Sequence, residues 1–558
     1  MRLPVALGVL SLMSVLVAGC SSSGGGGAAG PGGGQADQPA APRVNRVVFA
    51  SPPPQLEGNN PSRSYSAPSA FQLRPMYEYL IGIDARGKRG PQLATDWMLE
   101  PDGRSYRFTV RHGVRFHGDW GEVTAKDIAA VIKDISQPDS LSGSAPFWRL
   151  LTEGVEEVNP YEAIVHMKAP NAEILGNISQ QLSGSDIKSS ANYAKVGHTP
   201  ALQEAPIAGT GPYQFKERAQ GQYVRFERVP YEHWRHVPAF PELELRWINE
   251  ASTRLAGLLA GEIHLTPLPE DLQAQAQRSG MKVAAGTTPG VRAFLQFRGV
   301  HLLDSKDPSK GYKFPNSPLM DPRVRQALSK AVNRDELNKT LLGGKGEVMV
   351  LNHFHPTREG WNPEWVQRFP EAYGYDPAKA RALLADAGYT AANPLRTSMV
   401  MLTLAELPQS QDIQEAIAGY WRAVGIQVAL LNVDRAEDER LSRTKEYPNH
   451  LTIFTAPSDQ YLGVRTFNTY TNAVGGSNVD MPAVDAGYNE RVLVTLDDKK
   501  REQMWRDLGE SIFTSFQHVP LFWLPVQVTY NPSIVAGMVF PGSTSGLYTH
   551  LELLEPAA

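Results

Sequence analysis

The order of apolar and polar positions changes period several times along the chain, and each change marks an element. Val47-Val48-Phe49-Ala50 is a continuous apolar run of strand length, while Tyr106-Arg107-Phe108-Thr109-Val110-Arg111 alternates with period two. Asp102-Gly103 separates that alternating run from Trp97-Met98-Leu99, so the spacing predicts a β-hairpin. Helical spacing takes over in residues 125–132, with Thr124 as the expected N-cap. Asp321 stands before Pro322 at a first helical position, and the helical pattern continues to Val332. A third helix is expected over 378–387, with Gly388 as its stop. Strands and helices interleave without an internal repeat, so the class is mixed α/β.

The first twenty residues follow another logic. Arg2 is followed by an uncharged, mainly apolar stretch to Ala18, too short to cross a bilayer as a helix, and then by Gly19-Cys20. This is the pattern of an export signal. Val17-Ala18-Gly19-Cys20 resembles a bacterial lipobox, in which the cysteine is lipidated and becomes the new N-terminus. Residues 20–43, rich in Gly, Ser and Pro, read as a flexible linker. Cys20 is the only cysteine, so no disulfide framework is available, and 42% hydrophobic composition supplies an ample core. A net charge of −4 gives no sign of nucleic acid binding, and no later apolar run reaches membrane-spanning length.

Catalytic patterns are weak. Gly542-Ser543-Thr544-Ser545-Gly546 has the glycines of a nucleophile elbow around a threonine and is read as a loop. His353-Phe354-His355 would put two imidazoles on one strand face, without an evident third metal ligand. Ala208-Gly209-Thr210-Gly211-Pro212 lacks the lysine and helix of a phosphate loop. The acidic groups at Glu153, Glu156, Glu157 and at Asp434, Glu437, Asp438, Glu439 are read as solvated helix faces. The residues therefore give an enzyme no support, and neither a cofactor nor a resident metal is expected.

Several ordered blocks resemble the family 5 extracellular solute-binding proteins, the peptide and nickel receptors of ABC importers. They are Pro91-Gln92-Leu93-Ala94-Thr95-Asp96-Trp97, the stretch 102–117, Val123-Thr124-Ala125-Lys126-Asp127, Gly209-Thr210-Gly211-Pro212-Tyr213 with Tyr231-Glu232-His233-Trp234, residues 321–327, and Tyr375-Asp376-Pro377 leading to Gly388-Tyr389. The resemblance spans roughly residues 44 to 540. It implies an α/β, two-lobed periplasmic-binding-protein-like fold of class II, cluster C type, with an extra small domain. The implied parts are a signal peptide at 1–19, the linker at 20–43, lobe I at 44–90 with 205–290 and 519–558, a small domain at 91–204, and lobe II at 291–518. Most of these motifs read as scaffold; Trp97, Arg111 and Phe116 suit a half-buried sheet, and Gly209 and Gly211 suit backbone conformations that other residues resist.

The implied partners are a peptide or other small solute and the permease subunits of an ABC transporter. The implied setting is a monomer held by its lipid on the extracytoplasmic face of a membrane. In peptide-binding relatives a carboxylate of lobe II meets the ligand's α-amine; Asp459 is the nearest carboxylate here, and the register leaves Phe454 or Pro457 as alternatives for that position. Tyr461, Trp523 and Tyr65 are expected pocket aromatics, Arg465 an expected partner for a ligand carboxylate, and His355 a further ligand-contacting residue. A metal chelate, haem or another organic solute is the alternative ligand, and a secreted hydrolase the contrasting class.

Overall fold

The expected caps and turns set the local elements. Thr124 and Asp127 form a reciprocal capping box at the start of the helix Ala125–Ile135. Asp321 accepts the Arg323 amide at 2.8 Å ahead of the helix Pro322–Lys330. Asp376 caps Pro377–Asp386, and Gly388 follows with φ 90°. At the hairpin, Ala94–Leu99 pairs antiparallel with Tyr106–Val110, and Gly103 takes φ 70° in the turn.

The structure is a computed structural model that describes residues 42–557 apart from 55–56, 65–70, 85–87, 182–184, 198–205, 403, 405–406, 434, 458, 472–478 and 540–549. The export signal, Cys20, the linker up to residue 41, Tyr65 and the Gly542–Gly546 loop lie outside the described residues. No helix among the described residues is long and apolar enough to cross a membrane.

The main sheet has eleven strands among the described residues. In chain order these are β1 Arg46–Ser51, β2 Tyr213–Ala219, β3 Tyr223–Arg228, β4 Glu242–Trp247, β5 Leu265–Thr266, β6 Lys282–Arg298, β7 Glu347–Val348, β8 Arg396–Met401, β9 Gln427–Asn432, β10 His450–Pro457 and β11 His518–Tyr530. Their spatial order is β9-β8-β10-β6-β11-β5-β1-β4-β3-β2, with β7 added on β11. β6 and β11 pair antiparallel at the middle of this sheet and join its two halves. Their register shifts on both sides of Pro289, opposite Pro525, where proline and the irregular pairing bend the ladder.

Alternation along β6 builds a core on each face. Val291, Ala293 and Leu295 join the large core with the buried residues of the helices Pro322–Lys330 and Ser410–Ala423. Phe294 turns the other way, onto Phe467 at 5.2 Å between ring centroids. A separate four-stranded antiparallel sheet, containing the hairpin, is covered by the Ala125–Ile135 helix through Ile128, Val131 and Ile132.

Three expectations are corrected. Gly209 and Gly211 are required by close approach and not by an unusual backbone conformation: a Cβ on either would lie 2.2 Å from a carbonyl oxygen, that of Met76 or Pro75. His353 has φ 75°, so His353-Phe354-His355 is a turn and its two imidazoles do not share a strand face. Asp438 is not on a solvated face; it is buried and ion-paired with Arg298, and the Tyr447 hydroxyl donates to it at 3.2 Å.

Candidate functional site

Ligands of open α/β sheets sit beyond the carboxyl ends of the strands, where helices begin and backbone polar groups are unspent. Here β1, β4 and β5 are mutually parallel or share a parallel neighbour, and β8 runs parallel to β9 and β10. Beyond the ends of β1, β4, β5 and β8 lies a cavity of about 690 Å³. One wall carries Pro52, Pro53 and Pro54 after β1, Phe71, and Pro267 to Glu270 after β5; the facing wall carries Leu342, Lys345, Leu404 and Leu407. Val291 and Leu524, cross-strand partners in β6 and β11, form part of the lining where the strands cross.

Proline and leucine make this lining mainly apolar and, at the prolines, conformationally fixed. Its polar groups are few and placed. The Arg254 guanidinium donates to the carbonyls of Ile248 (2.8 Å), Asn249 (2.6 Å) and Pro267 (3.2 Å), so it clamps two strand ends together and has little left for a ligand. Lys345 pairs with Glu270 and donates to Gln273 Oε1 at 2.8 Å, while Gln273 donates to Gln527 Oε1 at 3.1 Å. The helices Ala251–Ala260, Glu270–Arg278 and Ser410–Ala423 all begin at this cavity, and none of them has a side-chain cap. The Ser410 amide donates to the Leu407 carbonyl at 2.9 Å, so the last of these starts is satisfied within its own turn.

Of the six residues expected from the sequence, the five that are described lie elsewhere. Asp459, 1% exposed, is the N-cap of the helix Gln460–Phe467: one oxygen accepts the Leu462 amide at 2.7 Å, the other the Gln181 side chain at 2.7 Å. Arg465, on that helix, is ion-paired with the buried Glu173 at 2.9 Å, and the Tyr488 hydroxyl donates to the same carboxylate at 3.1 Å. Burial pushes the Glu173 carboxyl above its ordinary range, and Arg465 draws it back only in part. The Tyr461 hydroxyl donates to Glu359 at 2.8 Å and its ring packs on Trp505. Trp523 precedes the cavity residue Leu524 and therefore faces the other side of β11, against the His355 ring at 5.4 Å. His355 is held by Thr357 at 2.8 Å and Glu347 at 3.3 Å. Tyr65 lies outside the described residues.

These residues do gather, but around a buried polar cluster on the opposite face of β6 from Val291. Its centre is Arg292, cross-strand partner of Trp523, which reaches the His353 imidazole and lies over the Phe467 ring. Burial pushes Arg292 down to about 9, opposed by the field of Asp459. Gly463 is obligatory there because a Cβ would lie 2.3 Å from the Arg292 guanidinium. The cluster ties the 460–467 helix to residues 173–181 and leaves the cavity to other side chains. The available signal for the cavity was position: Ser51-Pro52-Pro53-Pro54 directly follows the expected strand 47–50.

Comparison with known proteins bears on the family and the fold. The family model of bacterial extracellular solute-binding proteins, family 5 Middle, matches residues 88–484. The dipeptide-binding protein of Escherichia coli (strain K12) is 26% identical over 419 residues, covering 71% of this chain and 73% of the relative. Di/tripeptide-binding protein 2 of Pseudomonas aeruginosa is 26% identical over 526 residues, covering 87% and 90%. Among solved structures, NikA from Brucella suis in complex with Fe(III)-EDTA has the same fold, with a TM-score of 0.72, 22% identity, and coverage of 92% of this chain and 99% of that one. The chain belongs to family 5 of the bacterial extracellular solute-binding proteins.

Proposed function

We propose that this protein is the capture subunit of an ABC importer, that it takes a peptide or peptide-like solute into the cavity beyond the strand ends, and that it hands the solute to the permease without altering it. The observation that carries the reading is the cavity itself. Its volume of about 690 Å³ falls in the range that encloses a small organic ligand, and its walls come from both lobes, so occupancy favours closure. Lobe I would be 44–90, 205–290 and 519–558, lobe II 291–518, and the small domain 91–204; β6 and β11 would then be the hinge strands. Apolar walls with a few fixed charges suit a solute with apolar side chains and polar ends. For the chelate or haem reading the two imidazoles offer no joint site, because His353 packs on Phe467 and His355 on Trp523.

The anchor belongs to the same proposal. Lipidated Cys20 and a linker of 23 residues, whose root-mean-square reach is about 25–30 Å, would hold the receptor near its permease. Native mass spectrometry of residues 44–558 as isolated tests the ligand: an intact co-purifying peptide or peptide-like molecule is expected, and turnover of the bound molecule would overturn the receptor reading. Membrane fractionation of Cys20→Ala tests the anchor, with release of the protein as the expected result.

A further inference from the structure

The Lys345–Glu270 pair is the one place where opposite walls of the cavity meet through charge among the described residues. Glu270 opens the helix after β5; Lys345 stands on the loop that leads into β7. That loop is set before any ligand arrives. Gly343 and Gly344 take φ 60° and 77°, and Asn338 holds Gly346 through both its amide and its carbonyl, at 2.8 and 2.7 Å. A Cβ on Gly343 would sit 2.9 Å from Glu270 Oε1, an end of a side chain that can turn aside, so it is the φ of 60° that calls for glycine there.

Lys345 carries three N–H donors and uses one on Glu270 Oε2 and one on Gln273 Oε1. Glu270 accepts through Oε2, and its Oε1 meets no donor among the described residues. Both side chains remain about one-third exposed, at 33% and 34%. The pair therefore presents one spare donor and one spare acceptor side by side, at the rim of an otherwise mainly apolar space. An ion pair this exposed is a weak tie between the lobes, so ligand charges can share or replace it at little expense.

We infer that Lys345 and Glu270 are the specificity-determining residues of the ligand site, Lys345 taking the carboxylate and Glu270 the ammonium of a zwitterionic, amino-acid-derived solute. This rests on the peptide-like reading above and names the charges that reading needs. Isothermal titration of the folded chain 44–558 with Ala-Leu and Ala-Leu-Ala, each with free termini, N-acetylated or C-amidated, tests it. In the wild type either block weakens binding at least tenfold. Lys345→Met loses the discrimination against the C-amide and keeps that against the acetyl group; Glu270→Gln does the reverse. The exchange Glu270→Lys with Lys345→Glu preserves a tie between the lobes but does not restore wild-type affinity. Restored affinity in the exchange, or discrimination unchanged in the single variants, would overturn the assignment and leave the pair as a tie between lobes. A wild type that binds none of the free peptides would overturn the peptide reading, and the assignment with it.

Discussion

Arg465→Met separates the two roles open to this arginine. As a ligand contact it would affect affinity alone; as the partner of Glu173 it must affect stability. Arg465 and Glu173 are 9% and 1% exposed, so the ion pair is shielded from solvent. Removing one member of a buried pair leaves an uncompensated charge and costs about 3–5 kcal/mol. Glu173 has a way out, because it can take up a proton. Its carboxyl is already raised from 4.5 in the folded protein, so its favourable contribution is present below that value and declines as pH rises through the raised folded pKa. Without Arg465 the folded pKa rises further. The deficit of the variant relative to wild type is then small in acid and grows by up to about 1.4 kcal/mol per pH unit between the two folded values. Urea unfolding at pH 5, 6, 7 and 8 reads this directly, with the full 3–5 kcal/mol approached at the alkaline end. The double variant Arg465→Met, Glu173→Gln should lose the pH dependence and recover about 2 kcal/mol or more at pH 8. A deficit below about 1 kcal/mol at pH 8, or one independent of pH, would refute the argument.

Three further outcomes follow from the geometry. Gly211→Ala should destabilise by about 3 kcal/mol or more in urea unfolding, since its Cβ meets the Pro75 carbonyl oxygen at 2.2 Å and backbone cannot swing aside as a side chain can. Asp459→Ala should lower stability by about 1–2 kcal/mol through loss of the helix cap, with Asp459→Asn recovering at least half, and neither should change the preference between free-amine and N-acetylated peptides. His117 is buried against the Gly211 carbonyl at 2.8 Å and pushed down to about 4 by burial. It therefore supports the fold above about pH 6.5, and up to about 3 kcal/mol of that support is lost as pH falls toward 4; His117→Gln should flatten the stability profile in that window.

The sequence was most legible where a local rule and the tertiary structure agree. Asp321, Asp376 and Thr124 cap helices whose starts follow from neighbouring residues alone, and Gly103 turns a hairpin whose strands alternate in plain view. The blocks that identify the family are of the same kind: they shape the scaffold, so they reveal the fold and leave the ligand site unmarked. Gly209 and Gly211 show the limit, because the carbonyls they must avoid belong to residues 75 and 76, more than 130 positions earlier. Most of the cavity lies beyond that limit, and only the prolines after the strand 47–50 mark its place locally. Glu270 and Lys345 are 75 residues apart, and nothing near either one announces a partner. Asp459 and Arg465 drew attention because chemistry-bearing types crowd residues 459–470, and the structure uses that crowding to seal a helix against residues 173–181. Charged residues used in packing resemble binding residues until their partners are known. A cavity lined by prolines and leucines at strand ends has no such signature, so finding it depends on knowing which strands run parallel and where they stop.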